Sequence, residues 1–178
     1  SMLFSLSYME KDLVDGHITF KMLRRYYGLL HVLIFTMISV LVVENLGLMW
    51  VAVEATTLAS AFLVAFYFNH SALEAAWKYV MVCTVGICLA LLGTTLLYYA
   101  QVSVVGSDFE ALSWLSLKEM SPKLDPTIMK LAFVFILIGY GTKAGLAPMH
   151  TWLPDAHSQA PSPISALLSG VVLSCAAY

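Results

Sequence analysis

Charge is scarce in this chain of 178 residues: Asp, Glu, Lys and Arg make up 11% of it, while 60% is hydrophobic. A soluble domain carries about a quarter charged residues, so a mean hydropathy of +0.83 points to lipid as the surrounding medium. The nine basic residues are scattered among eleven acidic ones and form no patch able to hold phosphates, which excludes nucleic acid as a partner. Cysteine is limited to Cys83, Cys88 and Cys175. All three sit inside apolar runs, with no CxxC pair and no histidine at ligand spacing, so small core residues are expected and no metal site. Paired histidines for haem, a phosphate-binding glycine loop and a serine, histidine and carboxylate set are also missing. The chain therefore shows no catalytic centre, and no cofactor is expected in it. Residues 1–25 lack the uninterrupted apolar core of a signal peptide.

Long apolar runs, by contrast, fill the sequence. A membrane span needs about 20 mostly apolar residues, and five stretches qualify: roughly 26–43, 46–68, 79–100, 131–153 and 161–178. An all-α integral membrane domain over residues 1–178 is expected, with about five transmembrane helices. Only Glu44 and Asn45 separate the first two spans, which predicts a tight helical hairpin, and Asn69-His70-Ser71 is a turn before the third. The connection 101–130 holds a Ser107-x-x-Glu110 capping box and then Phe109, Leu112, Trp114, Leu115 and Leu117 among polar residues. That pattern predicts an extramembrane loop with a short amphipathic helix at the interface, ended by Pro122 and Pro126. Lys21, Arg24, Arg25 and Lys78 mark one side as cytoplasmic, against Lys118, Lys123 and Lys130 on the other. The closing Ala176-Ala177-Tyr178 has no glycine cap, basic anchor or polar tail, so a fragment of a larger polytopic subunit is expected, and Ser1-Met2 reads as an added start.

Ionisable side chains at mid-bilayer cost on the order of 3 kcal/mol or more and usually face protein or water. Glu54 in the second span and Lys143 in the fourth both fall near that depth. One reading is a structural ion pair that fixes helix packing. The other is a switch: low dielectric disfavours the ammonium and an approaching carboxylate favours it, so the distance between the two controls whether the lysine holds a proton. The run 139–148 places Gly139, Gly141, Gly145 and Pro148 around Lys143, which predicts a broken helix, with Pro148 leaving the Ala144 carbonyl free. His150 and His157 follow, either as relay groups or as interface residues. Lys78 is either a snorkelling anchor or part of a proton path. His31 is a core or a wet histidine, and Glu44 is expected to be solvated at the hairpin turn.

Gly139-Tyr140-Gly141-Thr142-Lys143 running into 148–161, PMHTWLPDAHSQAP, resembles the antiporter-like subunits of respiratory complex I and its relatives. The stretches 45–58 and 73–79 resemble more narrowly the F component of hydrogenase-4 and formate hydrogenlyase-type complexes. The resemblance implies a subunit of about fourteen helices built as two inverted five-helix repeats, of which this chain corresponds to the first. It implies that Glu54 and Lys143 gate proton uptake and that Lys78 is the lysine opening the sixth helix. It also implies that nickel-iron and iron-sulfur centres reside in partner subunits, membrane and peripheral, and that the subunit sits in the cell inner (cytoplasmic) membrane. Where complex I subunits carry a lysine or histidine in the eighth helix, this chain has Ser174, a departure shared with the hydrogenase branch. The expected function is proton translocation, with sodium as the other candidate ion, in an energy-converting [NiFe] hydrogenase or related complex. The alternatives are a complex I or Mrp-type cation/proton antiporter subunit, or a membrane scaffold in which the charge pair only locks the bundle.

Overall fold

The computed structural model describes residues 2–106 and 112–178. Its helices are α1 (Met2–Val14), α2 (Phe20–Val42), α3 (Leu46–Val64), α4 (His70–Val105), α5 (Trp114–Met120), α6 (Pro126–Ala144) and α7 (Trp152–Gln159). The last, α8 (Ser162–Ala177), passes through a π-helical turn at Leu168–Val172. Four of them, α2, α3, α4 and α6, are long and apolar enough to cross a membrane, and α8 is a shorter apolar helix. The fourth expected span, 131–153, is shortened at its end, because its helix stops at Ala144 and the chain then forms a loop and α7, whereas α8 matches the fifth expected span, 161–178, to within a residue at each end.

Side chains set the boundaries. Asn45 accepts hydrogen bonds from the Gly47 and Leu48 amides at 2.9 and 3.2 Å, Asn69 from Ala72 at 2.7 Å, and Asp125 from Thr127 at 2.7 Å. Each satisfies amides that the first turn of a helix leaves free. Pro126 opens α6 instead of ending the preceding helix, since a proline at the first helical position loses no bond. α4 is 36 residues long, about 54 Å at 1.5 Å per residue, and so extends well past the run expected at 79–100. Its charged start remains helical, with Glu74 and Lys78 paired one turn apart at 2.9 Å.

α4 is the central element, packed against α3, α6 and α7. A Cβ on Gly139 of α6 would lie 2.5 Å from the Ala90 amide nitrogen of α4, so the two backbones touch where only glycine fits, the packing by which membrane helices associate. Large apolar side chains point outward around the bundle, among them Phe35, Phe62, Trp77, Val85 and Phe133. A surface of that kind suits lipid and would be a liability in water. Cys83 and Cys175 are buried as expected, but Cys88 is exposed on this outer face.

Both ends of the bundle are tied. At one, α1, which hydropathy does not mark as a span, is held by Ser5 Oγ donating to Tyr26 Oη at 3.1 Å and Tyr67 Oη donating to Asp12 Oδ2 at 2.6 Å. At the other, the Trp114 amide donates to the Glu44 carbonyl at 3.2 Å and the Ser113 hydroxyl donates to the Glu44 carboxylate. Glu44 thus joins the hairpin turn to α5 and is more than a solvated charge. α5 starts at its Ser113 cap and buries Leu117 against Ala100 and Leu124. The expected Ser107 to Glu110 capping box lies outside the described residues. Pro122 sits in the short 3₁₀ turn after α5.

Candidate functional site

α6 ends at Ala144, so Lys143 is the next-to-last residue of its helix and not a mid-helix one. The Leu146 amide donates to Gly141 O at 2.8 Å and the Gly145 amide to Thr142 O at 3.2 Å, with Gly145 left-handed at φ 76°. This is the Schellman closure, and glycine is the residue that takes the left-handed position without a Cβ penalty. The break expected around Lys143 therefore exists, but Gly145 makes it, not Pro148, which follows in the loop. Gly139 serves close packing on α4, and Gly141 leaves room for Leu146. Trp152, at the start of α7, donates from its indole Nε1 to Thr142 O at 3.0 Å, so a side chain from the next element satisfies a carbonyl at the broken end.

Lys143 lies in the last turn of α6, where the unsatisfied carbonyls favour a cation. Its side chain is 0% exposed. The ammonium donates to the Tyr79 hydroxyl of α4 and lies 4.7 Å from the centre of that ring. Tyr79 Oη is in turn 2.7 Å from Ser60 Oγ of α3. Ser60 Oγ is within hydrogen-bond reach of the Thr56 carbonyl, and of the Thr57 carbonyl at 3.1 Å. The ring of Tyr79 packs on Trp152 with centroids 4.5 Å apart. Tyr79, Ser60 and Trp152 carry no mark in the sequence that separates them from ordinary core residues. The only available hint is that Tyr79 adjoins Lys78.

Glu54 and Lys143 interact through space but are not in contact: no ion pair between them lies within 4.0 Å among the described residues. The Glu54 Oε2 atom is buried with no hydrogen-bond partner there. Ser60, the partner of Tyr79, stands six positions beyond Glu54 on α3, roughly 9 Å of helix rise at 1.5 Å per residue. α6 begins at Pro126, and Lys143 is next to its last residue.

Lys78 is half exposed and bridges Glu74 at 2.9 Å and Asp155 Oδ2 at 3.0 Å. It joins α4 to α7. His150 is exposed, and His157 Nδ1 is 2.8 Å from Ser165 Oγ, linking α7 to α8. Burial pushes the His157 imidazole below the ordinary histidine range. Among the described residues no hydrogen-bond chain joins Lys143 to either histidine. The Ser174 hydroxyl donates back to Gly170 O at 3.2 Å, and His31, exposed on α2, has Nδ1 2.6 Å from Tyr27 O.

Residues 43–178 match the family described as NADH:quinone oxidoreductase/Mrp antiporter, TM. The chain is 44% identical over 99% of its length to a hydrogenase-4 component F homolog of Methylacidiphilum infernorum, of which it covers 37%. It is 35% identical over 73% of its length to NADH-quinone oxidoreductase subunit N of Desulforudis audaxviator, covering 24% of that protein. With hydrogenase-4 component B of Escherichia coli it shares 33% identity over 81% of its length and 20% of that relative. In structure it is similar to a chain of respiratory complex I from Thermus thermophilus with bound aureothin, with a TM-score of 0.69 and 30% identity over 85% of this chain and 32% of that one. The chain thus spans under two fifths of these relatives. A membrane-embedded helical bundle with a lysine buried at a glycine-closed helix end, and these matches together, place the chain in the NADH:quinone oxidoreductase/Mrp antiporter transmembrane family.

Proposed function

We propose that this chain is the first-repeat portion of a proton-translocating, antiporter-like subunit of an energy-converting hydrogenase or complex I-like assembly. The observation that carries this reading is Lys143, wholly buried between α3, α4, α6 and α7, with a half-buried carboxylate, Glu54, in electrostatic range but out of contact. A buried lysine and a half-buried carboxylate that are not locked together are poor packing glue and suit a group that gains and loses a proton. Glu54 tunes the lysine, Lys143 holds the proton, and Lys78, His150 and His157 serve the approach to it. Electron transfer at nickel-iron and iron-sulfur centres in partner subunits drives the movement, and the ion is the proton. The subunit lies in the cytoplasmic membrane. The hydrogenase branch is favoured by the 44% identity to a hydrogenase-4 component F homolog and by Ser174 at a position where complex I subunits carry a basic residue.

The test uses the full-length subunit in its assembly, in inverted vesicles energised by the electron donor. Lys143→Ala is expected to abolish proton uptake while assembly persists, and Glu54→Gln to weaken it less. Normal uptake in the Lys143→Ala variant removes this reading, and loss of assembly supports a scaffold.

A further inference from the structure

We propose that Tyr79 is the positioning residue of Lys143: its hydroxyl, oriented by Ser60, is the acceptor on which the protonated lysine rests when it is not paired with Glu54. The inference rests on the proton-holding role of Lys143 proposed above.

The orientation follows from counting protons. An ammonium only donates, and a hydroxyl has one proton to give. Ser60 Oγ reaches the carbonyls of Thr56 and of Thr57, and a carbonyl only accepts, so the Ser60 proton is spent there. Ser60 must then accept from Tyr79, at 2.7 Å. The Tyr79 proton being committed to Ser60, its oxygen presents lone pairs to Lys143. The chain has one direction, from the lysine through two hydroxyls to the backbone of α3.

Lys143, Tyr79 and Ser60 are each 0% exposed, so water does not compete for these bonds. The Tyr79 ring is held by its face on Trp152, and Trp152 is pinned to Thr142 O, which makes the acceptor a fixed one. Glu54 Oε2, buried and without a partner, is the second acceptor, about 9 Å of helix rise back along α3 from Ser60. The titratable groups facing the ammonium are Glu54 from α3 and Tyr79 and Cys83 from α4. α7 presents the uncharged Trp152. Cys175 of α8 lies outside this set, and Tyr140, on the lysine's own helix, turns toward Thr94. A thiol is a weak acceptor, which leaves Tyr79 as the neutral resting place.

The experiment measures the pH dependence of donor-driven proton uptake in vesicles carrying the full assembly. Tyr79→Phe keeps the ring and its packing on Trp152 and removes only the acceptor. A hydrogen bond to a charged group corresponds to about one to two pH units, and the alkaline limb of the profile is expected to move toward acid by that amount, with assembly retained. Ser60→Ala, which frees the Tyr79 proton and unfixes its lone pairs, is expected to move it the same way by less. If Lys143→Ala abolishes uptake and Tyr79→Phe leaves the profile where it was, the positioning role is overturned and the lysine's role stands. If Lys143→Ala leaves uptake intact, both fall. Should Tyr79→Phe fail to assemble, Ser60→Ala decides: a shift supports the proposal and an unchanged profile overturns it.

Discussion

Lys143 and Glu54 are visible in the sequence because each is a charge inside an apolar run, where its cost demands a reason. Their surroundings are not visible. Tyr79, Ser60 and Trp152 are uncharged and common in cores, and only the crossing of α3, α4 and α7 brings them to the ammonium. His157 is a middle case: its type marks it as a group that titrates near neutrality, but the Ser165 partner and the burial that disfavours its charged form belong to the tertiary structure. With its folded proton affinity below the unfolded one, the unfolded chain binds more protons as pH falls through about 6.5. Stability from this site is therefore full above that pH and is lost on acidification. Thermal unfolding midpoints of the purified protein in detergent should fall from pH 7.5 to about 5.5, and His157→Gln should flatten part of that slope. An identical slope in the variant would assign the effect to other groups.

At the scale of elements, the glycines have separate tasks that composition merges. Gly145 ends α6 through its left-handed backbone, while Gly139 lets α6 touch α4. A methyl at Gly139 would meet the Ala90 backbone, which cannot swing aside as a side-chain tip can. Gly139→Ala should therefore cost about 1–3 kcal/mol, read as earlier unfolding in mixed micelles. Gly28→Ala, with nothing within 4 Å of the added Cβ, should be neutral or gain up to about 1 kcal/mol of helix propensity. Equal losses at both sites would contradict the close approach. Hydropathy located every long helix but misjudged lengths, since α4 and α6 extend into polar sequence held by an ion pair and an aspartate cap, neither of which an apolar-run count detects.

For the whole molecule, the ties at the two ends define which loops share a side. α1, the α3–α4 turn and α7 gather at one end through the Asp12–Tyr67 and Lys78–Asp155 contacts, and the hairpin turn and α5 meet at the other. Lys21, Arg24 and Arg25 belong to the first end, which the positive-inside rule assigns to the cytoplasm. Cysteines introduced at Asp15 and Lys118, both exposed, should react with an impermeant maleimide from opposite sides, Asp15→Cys in inverted vesicles and Lys118→Cys in right-side-out ones. Labelling of both from the same side would refute this arrangement.

The sequence by itself determined that the chain is a membrane-embedded helical bundle, where its turns lie, that its helix breaks beside a lysine, and which charges require an explanation. These follow from local quantities: hydropathy per residue, glycine and proline spacing, and the solvation cost of a charge. Only the tertiary structure decided that Lys143 donates to Tyr79 apart from Glu54, that Lys78 faces Asp155, and that Trp152 closes the broken end. Those contacts join residues as far as 77 positions apart, as Lys78 and Asp155 are, and they depend on how far each helix extends and how it is rotated. Packing fixes both, through backbone contacts such as Gly139 on Ala90 that no single stretch of sequence contains.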